Sequence, residues 1–436
     1  MTTSLRLRGR RASRAQRLAF KKGSNAADIP TMLSPRLDER QRPSLPTPGE
    51  VVTLISSFVR PRLGTVLGGS LALILTILAY KTYQLFDFRV FWEAGHRLLT
   101  GARLYPSDEA LGANTRDYYV YPPVVAFAFA PLATLPYAVA GILYALASVG
   151  AIFASLRIVG VTDWRCYAVL PFWMPVLQAV GLGTIAPFLA LALAVAWRYR
   201  DRRFAAGAAL ALAIASKLFL WPLVFWLIAT RRYRRALETI SMTAAAILIP
   251  WALLGFRDLG EYPHMLRLLV DNELSTSFST TALADMIGFT PAARVVQILC
   301  VIAIFALARR QEGDRRAFSA AVVAALALSP LVWIHYYVLL IVPIALVARR
   351  LQAIWLVPVL AFWIFTDNLS SVWPVLWVSL VMSAAAVFTL RASGPVPDPG
   401  SPEDSERRPA RTNSHRATPN ATRARNPVRR PASHAQ

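Results

Sequence analysis

Seven polar residues stand out in a chain that is otherwise strongly apolar. Asp87 opens the stretch DFRVFWEAGHRLLTGARLYP, and Glu93 and His96 follow it at helical spacing. Tyr121 begins YPPVVAFAFAPLATLP, Lys217 lies inside AAGAALALAIASKLFLWPLVF, Asn272 stands just before STSFS, and His335 belongs to SPLVWIHYY. A carboxylate within hydrogen-bond reach of a hydroxyl takes its proton as the oxygen attacks. A cation or hydrogen-bond donor beside a departing phosphate stabilises the negative charge that develops there. A phosphate leaves without a strong general acid, so one carboxylate suffices. The set therefore suits transfer of a group from a phosphate to a hydroxyl.

Each residue also has a plain reading. Asp87 fits an N-cap for a helix beginning near Arg89. Glu93 fits a solvated helix face, and Glu93 with His96 fits an i,i+3 pair. His335 fits an interfacial aromatic beside Tyr336 and Tyr337. Lys217 resists such a reading, because an ammonium inside a long apolar run is costly unless it reaches a polar destination.

The elements that must position these residues are membrane helices. The chain has 436 residues, of which 56% are hydrophobic, and a mean hydropathy of +0.44. Its apolar runs repeat at bilayer-spanning length, which predicts an all-α polytopic membrane protein with about 11–12 transmembrane or half-membrane helices. The net charge of +23 sits in the two tails and in short clusters between apolar runs. That is the distribution of the positive-inside rule rather than of a nucleic-acid-binding surface. The two cysteines, Cys166 and Cys300, lie in or beside apolar runs and suggest no disulfide framework, and no Cys/His group has zinc-ligand spacing. No metal or cofactor is expected.

Residues 1–62 read as a basic cytoplasmic tail and 391–436 as a Pro/Arg-rich one, both without periodic structure. The membrane body is then 63–390, in the plasma membrane with both termini cytoplasmic. A first span at 63–85 leads to an outer loop at 86–121, and a second large outer loop is expected at 256–291. Residues 122–136 read as a proline-broken half-helix before a single crossing. Three basic clusters, RYRDRR (198–203), RRYRR (231–235) and RRQEGDRR (309–316), belong on one side. The apolar run 204–230 between the first two must then be a hairpin of short helices turning near Lys217. Further spans are expected at 165–181, 183–198, 236–255, 292–308, 317–333, 335–348, 352–366 and 369–390. This parity gathers Asp87, Glu93, His96, Lys217, His335 and the pair Asp367 and Asn368 on the outer face.

These motifs, in this order, resemble glycosyltransferase family 87, bacterial polyprenyl-phosphate-mannose-dependent α-1,2-mannosyltransferases with the membrane fold called GT-C. The similarity covers about residues 60–390. It rests on the Asp-led aromatic helix, the Tyr-Pro-Pro half-helix, the Lys followed by Arg-Arg-aromatic-Arg, and the Ser-Pro, Trp, His segment. The resemblance implies inverting transfer, with Asp87 as base and Lys217 at the donor phosphate. It places His335 near donor or acceptor, with Glu93, His96, Tyr121 and Asn272 as further binding candidates. The implied partners are the lipid-linked mannose, a glycolipid or lipoglycan acceptor and the membrane itself. The chain departs from the family pattern at Gly183-Thr184, where Gly-Gln is frequent, and at STSFS (275–279), where Asn-Gln-Ser is frequent.

Two other classes remain open at this level. A transporter or flippase of lipid-linked intermediates predicts internal repeats with matched interrupted helices, and no such repeat is evident. A scaffolding membrane protein would make the outer polar set incidental.

Overall fold

The computed structural model describes residues 84–105, 119–364 and 372–391. The tails, nearly all of the expected first span, residues 106–118, and Asp367 and Asn368 lie outside the described residues. Every regular element among the described residues is helical.

Helix α1, Phe86–Thr100, buries Phe88, Val90, Phe91, Ala94 and Gly95 and turns Arg89, His96 and Leu99 outward. This is the one-sided pattern of an amphipathic helix. It ends at Gly101, whose φ of 71° supplies the left-handed cap. Its buried face lies on α2, Pro123–Ala133. Gly95 permits that contact, since a Cβ there would come within 2.9 Å of the Phe129 carbonyl carbon. Pro123 at the first helical position suits α2, because the amide it lacks has no partner there anyway. The Tyr119 hydroxyl accepts from the Ala126 amide at 2.9 Å and donates to the Pro122 carbonyl at 2.6 Å, closing that helix start. After this half-length helix, α3, Tyr137–Ile158, is long and apolar enough to cross a membrane.

The next segment departs from expectation. Residues 165–181 are not one span but α4 (Trp164–Val169), a 3-10 turn (Leu170–Phe172) and α5 (Met174–Gly181). Pro171 and Pro175 remove two amide donors within five residues and so interrupt the α-helical ladder. Helix α6, Ala186–Arg198, then leaves at 116° to α5. Helices α7 (Ala205–Ser216) and α8 (Leu223–Ala229) form the hairpin expected at 204–230. Their feet are tied by Arg232 Nε donating to Asp201 Oδ1 at 2.9 Å, and Lys217, extended at φ −147° and ψ 97°, breaks the run at the tip.

Helix α9 is Tyr233–Leu253. The expected outer loop at 256–291 holds two helices, α10 (Tyr262–Glu273) and α11 (Thr280–Met286). Helices α12 (Pro291–Ala308) and α13 (Gly313–Leu328) follow as a packed pair. The expected spans at 335–348 and 352–366 prove largely 3-10 in character. The first is Ile334–Leu340 running into α14 (Ile341–Val347), and the second is Ala353–Trp355 with Val357–Ile364. Pro343 and Pro358 fall within these stretches. Helix α15, Val372–Arg391, closes the described chain.

Helices α3, α9, α12 and α15 meet the length and hydropathy of a span, and the bent α5–α6 pair makes a fifth if counted as one. Shorter apolar helices, including α2 and both arms of the hairpin, fill the space between them. The protein is an all-α polytopic membrane protein, built from more half-length pieces than the sequence suggested.

The three basic clusters meet at one end of this bundle. Asp314, at the start of α13, accepts from Arg200 Nε at 2.7 Å, from Arg232 Nη1 and Nη2 at 2.8 and 3.0 Å, and from Trp226 Nε1 at 2.8 Å.

Candidate active site

The tip of the α7–α8 hairpin is the place to begin. The Lys217 Nζ lies 3.8 Å from the centroid of the Tyr121 ring, 5.0 Å from Tyr336 and 6.0 Å from Trp333. Electron-rich ring faces hold a cation without neutralising it. The lysine nitrogen is thus held by three ring faces.

His335 stands beside this cage. Its ring is 4.4 Å from Tyr336 in an edge-to-face contact and 6.0 Å from Trp333 in a stacked one. Only 4% of the residue is exposed, and neither Nδ1 nor Nε2 has a hydrogen-bond partner. Buried polar atoms normally find partners, and leaving one without a partner costs about 1–3 kcal/mol. An imidazole kept in this state is available to a ligand.

Asp87 completes the cluster. It lies deep in the protein yet keeps part of its surface accessible. Burial pushes its carboxyl up to about 6, with the Lys217 ammonium acting in the opposite direction. Tyr121, Tyr144 and Tyr336 all lie within electrostatic reach of the same carboxylate.

Asp87 does not stand at the cap of a helix beginning near Arg89. The helix starts earlier, at Phe86 with Leu85 at the N-cap, which leaves Asp87 inside the first turn. The first amides of α1 are met by the turn between α5 and α6. Leu85 N donates to the Gly181 carbonyl at 3.1 Å, and Asp87 N and Phe88 N donate to the Leu182 carbonyl at 2.9 and 3.2 Å. The chain enters α1 through Gln84 and Leu85, both left-handed at φ near 52° and 51°.

Each wall of the cluster is anchored by a long-range tie. Tyr105 Oη donates to the Tyr121 carbonyl at 2.7 Å, and Tyr262 Oη to the Val120 carbonyl at 3.2 Å. The His335 segment is fastened by the STSFS loop. Phe278 N donates to the Val332 carbonyl at 2.7 Å, Ser277 Oγ accepts from Val332 N at 2.9 Å, and Ser279 Oγ donates to the Pro330 carbonyl at 2.7 Å. An apolar cleft of about 620 Å³ opens between α2, α3, α6 and α7, with Phe129, Tyr144 and Ser216 in its walls. Ser216 directly precedes the lysine.

Of the seven residues singled out from sequence, Asp87, Tyr121, Lys217 and His335 are brought together. Glu93 and His96 are not. On a helix they are rotated by roughly 120° and 180° from Asp87 and displaced along the axis. His96 is exposed and stacks on Trp92, with ring centroids 5.6 Å apart. Asn272 is exposed on α10. Trp333, Tyr336 and Tyr144 belong to the cluster but were not picked out from the sequence. Aromatic residues are so frequent at membrane interfaces that their type alone did not distinguish them.

No curated protein and no solved structure matches this chain. Residues 119–333, a stretch that contains Tyr121, Lys217 and Trp333 but stops short of Asp87 and His335, match the model of Glycosyltransferase family 87, which indicates a membrane glycosyltransferase.

Proposed function

We propose that this protein is a GT-C-type glycosyltransferase that moves mannose from polyprenyl-phosphate-mannose to a glycolipid or lipoglycan acceptor on the outer face of the plasma membrane. One observation carries the reading. A carboxylate, an ammonium and an imidazole share one site, and among the described residues none of the three forms a hydrogen bond or ion pair with another side chain.

The reaction follows from their chemistry. The Asp87 carboxylate takes the proton of the acceptor hydroxyl as the oxygen lone pair forms a bond to the anomeric carbon. The bond from that carbon to the phosphate oxygen breaks, and its electron pair departs with the polyprenyl phosphate. Lys217 stabilises the charge that gathers on the phosphate. Attack opposite to the leaving phosphate inverts the anomeric configuration, so a β-linked donor gives an α-linked product. His335, with both ring nitrogens free of protein partners, hydrogen-bonds a sugar or phosphate oxygen. The apolar cleft beside Ser216 suits a long hydrocarbon chain attached to that phosphate.

A flippase or transporter of lipid-linked intermediates is the second reading, and it predicts binding of the donor without transfer. The test is direct. Purified protein is incubated with radiolabelled polyprenyl-phosphate-mannose and candidate glycolipid acceptors. Label should pass to the acceptor with release of polyprenyl phosphate. Binding of the donor without any transfer, with each of a panel of acceptors and lipid-linked sugars, would overturn the enzyme reading.

A further inference from the structure

The turn at 181–184 does more than connect α5 to α6. Two of its carbonyls, those of Gly181 and Leu182, receive the amides of Leu85, Asp87 and Phe88 at the start of α1. Gly183 in that turn has φ +70° and lies so close to α1 that a Cβ would sit 2.6 Å from Phe88 Cβ and 3.4 Å from the Phe88 amide. Thr184 fixes the turn from behind, since its carbonyl accepts from Tyr144 Oη at 2.9 Å and its Oγ1 accepts from the Ala186 amide at 3.2 Å. Tyr144 in turn stacks on Phe88, with centroids 5.0 Å apart.

We infer that the 181–184 turn, with Gly183 at its centre, is the positioning element for the base: it holds the first amides of α1, that of Asp87 among them, and so fixes where the carboxylate stands. The inference rests on the proposed sugar transfer for its kinetic meaning, although the geometry stands alone. A helix needs its first amides satisfied, and Leu85 at the N-cap has no side-chain acceptor to do it. The Leu182 carbonyl meets the amides of Asp87 and Phe88 instead, which ties the backbone that carries the carboxylate to the turn. Gly183 is a positioning residue, since it acts through Phe88 and the α1 backbone and touches no reacting atom.

Gly101 supplies the control. It lies at the other end of the same helix with φ +71°, but a Cβ there meets nothing within 4 Å. Gly101→Ala therefore carries the backbone strain alone, whereas Gly183→Ala carries the strain and pushes on α1. A misplacement of about 1 Å costs on the order of 100-fold in rate, so Gly183→Ala should lower kcat about that much. The KM for the lipid-linked donor should stay within about threefold, because Lys217 and His335 are untouched. Gly101→Ala should keep kcat within about threefold of wild type. Equal kcat in the two variants, or a KM that rises as far as kcat falls, would overturn the inference.

A second readout needs no sugar substrate. Carbodiimide modifies buried protonated carboxyls, and its rate at Asp87 is followed by mass spectrometry. That rate should change severalfold in Gly183→Ala and remain at the wild-type value in Gly101→Ala. An unchanged rate at Asp87 in Gly183→Ala would overturn the positioning role even if no sugar donor were ever found. A changed rate alongside a wild type inactive on every lipid-linked sugar would sink the enzyme reading alone.

Discussion

The two polar ends of this bundle are built on opposite terms. At the base of the hairpin, every oxygen of Asp314 is occupied by Arg200, Arg232 and Trp226. At its tip, Asp87 and Lys217 lie within each other's field but are not joined as an ion pair, and His335 has no hydrogen-bond partner. A half-buried carboxylate stabilises a fold when its neighbours answer its charge. Charged groups that are enclosed but not mutually satisfied add little to stability, and such groups concentrate at functional sites. The first end fastens three chain segments, and the second is held ready.

That contrast can be broken by substitution, beginning where the effect on transfer should be largest. Asp87→Asn removes the proton acceptor and nothing structural, so transfer should fall by about 10²–10⁴-fold while thermal unfolding is unchanged. The same residue sets a pH limb. With its carboxyl raised to about 6, the base is protonated below that pH, and kcat/KM should drop as pH falls through it. A wild-type profile flat from pH 7 to 5 would remove Asp87 from this role. Lys217→Ala deletes the cation proposed to meet the donor phosphate and should cost about 10²–10³-fold, with weaker donor binding measured by titration. Asp314→Asn should have the smallest effect on transfer. It leaves Arg200 and Arg232 with a poorer acceptor and should cost about 1–3 kcal/mol of stability, seen as a lower unfolding temperature with activity per folded molecule retained. An Asp314 variant that is fully stable but inactive would erase the distinction between the two ends.

Much of this organisation was legible in the residues. Lys217 in an apolar run between two basic clusters forced a hairpin, because a charge at that depth and two like-sided flanks admit few other paths. Tyr-Pro-Pro announced the start of α2, since proline at the first helical position meets no cost. The 3-10 stretches were not legible. The 334–340 segment has the apolar composition of part of a span, and the STSFS loop that braces Pro330, Val332 and Tyr337 around its start lies over fifty residues away in sequence. Ser277 and Ser279 gave no signal either, because a serine that braces a distant carbonyl looks the same as one facing water. Glu93 and His96 were drawn in by their proximity to Asp87 along the chain, whereas the rotation of α1 points them elsewhere.

Gly95 carries one more consequence. With no side chain between them, α1 and α2 meet main chain against main chain, so the two helices behave as one stiff plate rather than as neighbours that slide. Asp87 rides on one half of that plate, and Tyr121, whose ring lies over the lysine, leads into the other. The acid and the ring that faces the lysine are therefore carried on one unit, and neither can move without displacing main chain packed on main chain.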